Sequence, residues 1–366
     1  MVRGLTAAVK HAPAVLAVER RGVTKAVVEP APIIDLDPLV ARAGLLGRRA
    51  GPHVPIRDGL SRAAERARAL GVSAIQVFTD DPRGWAPRAE PHADVGVFRE
   101  ALEASDIQLL VHGSYLVNLS SPDPDVHARG IERMRHELVA AAALGALAIN
   151  IHVGSHRGAG VARGVDQAAT AIARIVDQPI PDPLPRLVLE VSAGQGDSLG
   201  VTIEEIAAII DAAERLGVER HRLGICLDTA HLWAAGYALE EPSAIDALLA
   251  SVDATMTPDA LAMVHFNDSR AARGSRQDRH EHLGAGRIGE AGLGHLVRHP
   301  RLAAVPIILE TPDLDAGWDA VDMARIRSLL AGEPLVGAPD EDVVVVPVRG
   351  GGGARMHMVP SAPESA

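Results

Sequence analysis

The sequence predicts a (β/α)8 TIM barrel with a metal site at its C-terminal mouth, on three observations. Six histidine, aspartate or glutamate residues, His112, His152, Glu190, Asp228, His265 and Glu310, recur at separations of 40, 38, 38, 37 and 45 residues, the length of a repeated strand-helix unit. Each of the six ends a short apolar run of strand type, and helical patterns fill the gaps between runs. Eight such runs alternate with eight helical segments, and in one closed parallel barrel the six side chains would meet where barrel enzymes place their chemistry.

Residues 1–47 do not fit the rhythm, contain Pro30 and Pro32, and read as an N-terminal extension, partly helical or disordered. The barrel domain is expected over 48–334. Its strands are Ala50 to Val54, Ala74 to Phe78, Ile107 to Val111, Leu147 to Ile151, Leu187 to Leu189, Leu223 to Leu227, Leu261 to Val264 and Val305 to Leu309. Its helices are expected near 59–70, 94–105, 125–144, 162–176, 202–217, 242–250, 289–298 and 319–330. The clearest begins at Thr202, where Thr202 and Glu205 have capping-box spacing and Ile206, Ile209, Ile210, Ala213 and Leu216 form a helical stripe ended by Gly217. The connection from Asn267 to about Gly289 is too long for the rhythm, and long barrel loops are where function concentrates. Residues 335–366 hold a valine run, Val343 to Val346, then Gly350 to Gly353 and a Pro/Ser/Ala end, a low-complexity tail expected to lack structure.

Apolar residues make up 47% of the 366, ample for one large core. Cys226 is the one cysteine, so no intramolecular disulfide can form; the setting expected is a reducing cytoplasm, and Cys226 reads as a packing residue. No run approaches the ~18 apolar residues that span a bilayer, so no membrane role is expected. Lysine occurs only at Lys10 and Lys25, leaving 34 of 36 basic residues as arginine, which suits bidentate phosphate contacts. The net charge of −11 argues against nucleic acid only superficially, since bound cations would neutralise Glu190, Asp228, Asp278 and Glu310.

Three residues lie off the beat. In Asp228-Thr229-Ala230-His231 a carboxylate and an imidazole are three apart, facing one region across a helical turn, and in Asp278-Arg279-His280 they are two apart, on one side of an extended loop. With the six they give five imidazoles and four carboxylates. A single zinc takes about four ligands, so nine suit a cluster with a bridging carboxylate. Mixed N/O donors favour zinc, with manganese or iron as alternatives in part.

At these residues the chain resembles a known family. The stretches His112-Gly113-Ser114-Tyr115-Leu116-Val117-Asn118-Leu119, Asn150-Ile151-His152-Val153-Gly154-Ser155-His156, Ala193-Gly194-Gln195-Gly196, Cys226-Leu227-Asp228-Thr229-Ala230-His231, His265-Phe266-Asn267-Asp268-Ser269 and Gly274-Ser275-Arg276-Gln277-Asp278-Arg279-His280 resemble the endonuclease IV family of abasic-site (AP) endonucleases. The likeness runs from about Gly51 to Thr311, and the Asp-Arg-His segment is its most specific part. It implies a zinc-dependent nuclease of DNA base excision repair, a monomer with no protein partner indicated. The substrate would be double-stranded DNA containing an abasic site, cut on the 5′ side to leave a 3′ hydroxyl and a 5′ deoxyribose phosphate.

The resemblance implies three zinc ions: one on His112, His152 and Glu190; a second sharing Glu190 and completed by Asp228, His265 and Glu310; a third on His231, Asp278 and His280. Glu190 and Glu310 would be the catalytic carboxylates, Glu310 orienting or deprotonating the attacking water. Arg83, Tyr115 and Leu116 match family side chains that enter the DNA stack, and Arg276 and Arg279 belong to a basic loop face, with Arg270, Arg273 and Arg287, suited to phosphates. Trp85 reads equally as packing, Tyr237 as structural. His156 could bind phosphate or support its loop.

Two departures stand out. Asp80 and Asp81 place two negative charges beside a presumed DNA-entering loop, and Val191 replaces an asparagine usual after the bridging glutamate, removing a group that could orient a ligand. Two other readings compete. A metal-dependent sugar isomerase or epimerase of xylose-isomerase-like barrel type would explain the strand-end residues, but not His231, Asp278 and His280. A non-catalytic damage-binding relative would fit the departures.

Overall fold

The computed structural model describes residues 37–336 except 89, 181, 183 and 313–317, together with the backbone of 342–347 and 354–359. The chain runs α1 (Pro38–Ala43), β1 (Ala50–Pro52), α2 (Leu60–Ala69), β2 (Ala74–Phe78), α3 (Val95–Ala104), β3 (Gln108–His112), α4 (Pro124–Leu144), β4 (Ala148–His152) and α5 (Val161–Val176). It continues β5 (Arg186–Glu190), α6 (Ile203–Arg215), β6 (Leu223–Asp228), α7 (Thr229–Ala235), α8 (Pro242–Thr255), β7 (Leu261–His265), β8 (Asp268–Ser269), β9 (His280–Glu281), α9 (Gly289–Arg298), β10 (Ile307–Leu309) and α10 (Trp318–Ala331). Two further strands, β11 (Asp342–Pro347) and β12 (Ala354–Val359), pair antiparallel.

β1 to β7 and β10 form one parallel sheet in the order β1-β10-β7-β6-β5-β4-β3-β2. The ring closes where the Val54 amide donates to the Gln76 carbonyl at 2.7 Å and His53 bridges Gln76 across β1 and β2. All eight expected strands and eight expected helices are present. Their order follows from local signals. Asp123 caps α4 through the amides of Asp125 and Val126, Pro124 opens it, and left-handed Gly145 ends it. Thr202 accepts from the Glu205 amide as its capping-box spacing predicts; Glu205 reaches back to the amides of Gly200 and Val201.

Alternation along the strands explains the position of the site. Ala74, Leu110, Ala148, Val188, Cys226, Met263 and Ile308 form a separate buried layer inside the barrel. Two residues on, the side chain points the same way again. Those positions are Gln76, His112, Asn150, Glu190, Asp228, His265 and Glu310, with His53 in the matching place on β1 and His152 one step higher on β4. The polar layer thus continues the interior stack toward the barrel mouth.

The ends of the chain add detail to the expected limits. Within 37–47, α1 is capped by Asp37 and packs on the barrel: Leu45 is buried, and Arg327 donates to the Ala41 carbonyl, so residue 47 is not a packing boundary. The extension over 1–36 lies outside the described residues. The valine run expected to lack structure forms β11, paired antiparallel with β12, as suits β-branched residues.

Cys226 is fully buried in the inner layer, and burial pushes its thiol up to about 12. The native protein should therefore leave a chromogenic disulfide reagent unreacted over hours and react promptly in denaturant; rapid labelling of the folded protein would contradict this placement.

Candidate metal centre

Glu190 is the hub. Fully buried at the end of β5, it puts Oε2 at 3.6 Å from Nε2 of both His112 and His152, while Oε1 lies 3.0 Å from His265 Nδ1 and 3.2 Å from His231 Nδ1. Asn150 donates to Oε2 and fixes the carboxylate plane. Asp228 serves two purposes: Oδ1 caps α7 by accepting the His231 amide at 2.8 Å, which turns Oδ2 toward His265 (3.8 Å) and His280 (3.5 Å). Asn267 links the strand ends, donating to Asp228 Oδ2 at 2.9 Å and accepting the Glu310 amide at 2.8 Å.

The long connection delivers the off-beat pair. β8 and β9 pair antiparallel, and buried Asp268 accepts the amides of Gly284, Gly286 and Ile288, so one carboxylate folds the loop. A Cβ at Gly286 would sit 2.4 Å from Asp268 Oδ1, which restricts that position to glycine. The loop brings the Asp278 oxygens to 3.3 Å from His231 Nε2 and 3.2 Å from His280 Nε2.

Three donor groups result, each with its ligand atoms within 4.8 Å of one another: His112, His152 and Glu190; Glu190, Asp228, His265 and Glu310; and Asp228, His231 and His280, with Asp278 against both imidazoles of the last. The imidazoles are prepared for cations. Backbone carbonyls of Gly113, Val191 and Glu310 accept from Nδ1 of His112, His231 and His280, leaving each Nε2 lone pair inward. His265 is held in the opposite tautomer: Nε2 donates to Gln76 Oε1 at 3.0 Å, so Nδ1 faces the carboxylates. Gln76 also donates to Glu310 Oε1 at 2.6 Å. His280 Nε2 is buried beside the Asp278 and Asp228 carboxylates at 3.2 and 3.5 Å without hydrogen-bond geometry to either, a position that a cation between them would satisfy.

Electrostatics point the same way. Burial works against charge on Glu190, yet His152 and His265 hold its carboxyl well below the usual range. Against the same burial, Asp228 and Asp278 lift His280 to about 9, and Asp228 and Glu190 keep His231 well above its ordinary value. Asp278 is lowered by His231 and His280 in spite of burial. A cation at His280 Nε2 must displace a proton held up to about 9, so metal binding releases protons and tightens as pH rises toward that value. Metal affinity measured by competition with a chromogenic chelator should increase from pH 6 to pH 8; a flat profile would contradict this.

The two departures change meaning. Asp80 turns inward, its carboxylate 3.5 Å from Arg133 and 3.2 Å from His136, so only Asp81 adds charge to the exposed loop, where it accepts the Arg83 amide. At Val191 the backbone carbonyl holds His231 Nδ1 at 2.9 Å, a contact that does not depend on the side chain. Around the mouth, Arg83, Tyr115, Arg276 and Arg279 are exposed and Leu116 is half-buried; Tyr115 packs edge-on against Phe78 and over His112. Arg276 adopts a left-handed backbone at φ 56°, a strained conformation of the kind that collects at working sites. Arg273 is committed to Glu240, Trp85 is capped by Arg129 at 4.9 Å, and His156 accepts the Gly160 amide and supports its own loop.

Composition and spacing did not single out His53, Gln76, Asn150 or Asn267. Strand parity was the available signal for the first three. A further cluster of Asp246, His295 and His299 lies on α8 and the end of α9 and shares no residue with the strand-end groups. There His299 Nδ1 accepts the Arg301 amide, so Nε2 carries the proton and faces Asp246, to which His295 also bonds at 2.6 Å; the cluster reads as a helix-to-helix staple.

A family model described as a xylose isomerase-like TIM barrel matches residues 64–328. A probable endonuclease 4 from Haloquadratum walsbyi is 36% identical over 280 residues, covering 76% of this chain and 97% of the relative. The crystal structure of endonuclease IV from Thermus thermophilus superposes with a TM-score of 0.67 at 34% identity, over 78% of this chain and 99% of that one. The chain belongs to the endonuclease IV family. A D-tagatose 3-epimerase-like protein also superposes, with a TM-score of 0.56, 17% identity and coverage of 77% of this chain and 97% of its own; at that identity the likeness is one of fold alone. Among the described residues no helix is long and apolar enough to cross a membrane.

Proposed function

We propose that this endonuclease IV family member is a zinc-dependent abasic-site endonuclease, hydrolysing the phosphodiester 5′ to the lesion to leave a 3′ hydroxyl and a 5′ deoxyribose phosphate. The observation that carries the reading is the meeting of Asp278 and His280, from a long loop, with His231 beside the strand-end cluster. A sugar epimerase would leave those three residues without a role. The donor set is imidazole and carboxylate, with the Cys226 thiol one layer deeper beside Glu190 and His265 and kept protonated by burial, and it suits zinc.

When bound, three zinc ions would activate a water and stabilise charge on the attacking and departing oxygens. The protein's own part is placement. Glu190, fixed by Asn150, offers one oxygen to each of two donor groups. Glu310, held at Oε1 by Gln76, keeps Oε2 toward the centre to orient the attacking water and take its proton. His231, Asp278 and His280 face the side on which the departing 3′ oxygen would lie.

Selectivity would come from deformation. A nucleotide without a base has nothing to unstack, so drawing it out of the duplex costs less than flipping an intact one. Arg83, Tyr115 and Leu116 would fill the gap in the stack, and Arg276 and Arg279 would hold phosphates. Arg83→Ala should raise KM for an abasic duplex about tenfold, a loss of about 1.4 kcal/mol in binding, with zinc content unchanged. Loss of metal from that variant, measured by atomic emission, would contradict the role.

A further inference from the structure

The two loops assigned to DNA rise from neighbouring strands, 79–88 after β2 and 113–119 after β3, and both rest on α4. Arg133 and Glu137, four residues apart on that helix, are 1% and 2% exposed, where charged side chains are rarely found without a purpose. Arg133 donates from Nε to Glu137 Oε1 at 2.7 Å and reaches the first loop with its other nitrogens, Nη1 to the Ala86 carbonyl and Nη2 to the Asp81 carbonyl, both at 3.3 Å. Nη2 also faces the inward carboxylate of Asp80. Glu137 Oε2 accepts the Ser114 amide of the second loop at 3.0 Å, and Ser114 Oγ donates to the Pro82 carbonyl at 2.8 Å, closing a circuit from loop to helix to loop. Arg83 follows Pro82, and Tyr115 and Leu116 follow Ser114.

We propose that Arg133 and Glu137 are positioning residues that fix the distance between Arg83 and the Tyr115–Leu116 pair before DNA arrives, with Asp80 as the added anchor of the first loop. The proposal rests on the reading that those three side chains enter an abasic duplex. A buried ion pair contributes little net stability over an apolar pair of the same shape, so its value here lies in geometry. The guanidinium fork meets a carboxylate and two carbonyls in one plane, which a lysine ammonium cannot do. Loops held in the bound arrangement spare the ordering that association otherwise requires, and that saving appears in KM.

Arg133→Lys and the milder Ser114→Ala, which removes the bond to Pro82 and the one that Ser114 Oγ accepts from the Leu116 amide, would be compared with wild-type zinc-loaded enzyme on an abasic duplex and on bis(p-nitrophenyl) phosphate. KM for the duplex should rise about five- to tenfold in both variants, with kcat within about twofold and zinc content and small-diester hydrolysis unchanged. A merely structural role would lower the melting temperature and leave KM in place. An unchanged KM in Ser114→Ala and Arg133→Lys, while wild type incises the duplex, would overturn the positioning role; so would a fall in small-diester hydrolysis together with zinc. Small-diester hydrolysis by a wild type that fails on abasic duplexes would overturn the nuclease reading and this proposal with it.

Discussion

Asp278→Ala should lower incision at an abasic site by about a thousandfold, the effect of losing several kcal/mol of transition-state stabilisation from one metal position. Asp278 sits against both His231 and His280, its side chain is 43% exposed, and it takes no part in the barrel core, so the variant should fold normally. Zinc content should fall by about one ion per chain, because the groups around Glu190 contain no atom of Asp278. Retention of all the metal with full loss of activity would mean that Asp278 acts on the substrate directly.

Glu190→Gln should have the larger effect, about ten-thousandfold or more, since one carboxylate belongs to two of the three donor groups. Glutamine has the same shape but no charge, and its amide nitrogen would face imidazole nitrogens or the Asn150 donor. Two ions should be lost or weakly held, leaving the third group of Asp228, His231, His280 and Asp278 nearly intact. Comparing metal content of the two variants separates the groups: one ion missing in Asp278→Ala, about two in Glu190→Gln. Equal metal loss in both would contradict the division into groups.

The barrel and six of the nine residues that meet at its mouth were legible in the sequence because both are periodic. A ligand at the end of each apolar run needs only strand parity and the length of a strand-helix unit to reach the mouth, and Glu310, one residue beyond β10, still obeys it. His231, Asp278 and His280 lie off the rhythm and were reached through local motifs. What stayed hidden was polar support that carries no such mark. Gln76 and Asn150 occupy the same interior layer as the ligands, but an amide in an apolar run reads as a tolerated exception until its neighbours across the barrel are known. The inward turn of Asp80 and the roles of Arg133 and Glu137 were hidden for the opposite reason. On sequence they are ordinary charges of a loop and a helix face, and only the packing of two loops onto α4 makes them interior. The carbonyl of Val191 could not be read from a side-chain departure at all, since the group that holds His231 belongs to the backbone.

The most direct test is incision of a duplex carrying a single abasic site by purified protein that is zinc-loaded, stripped with chelator, or stripped and reloaded. Cleavage is expected on the 5′ side of the lesion, with a 3′ hydroxyl on one product and a 5′ deoxyribose phosphate on the other, lost on stripping and restored with zinc. A fully loaded protein that leaves the abasic duplex intact, or cleaves it equally well after its metal is removed, would contradict it.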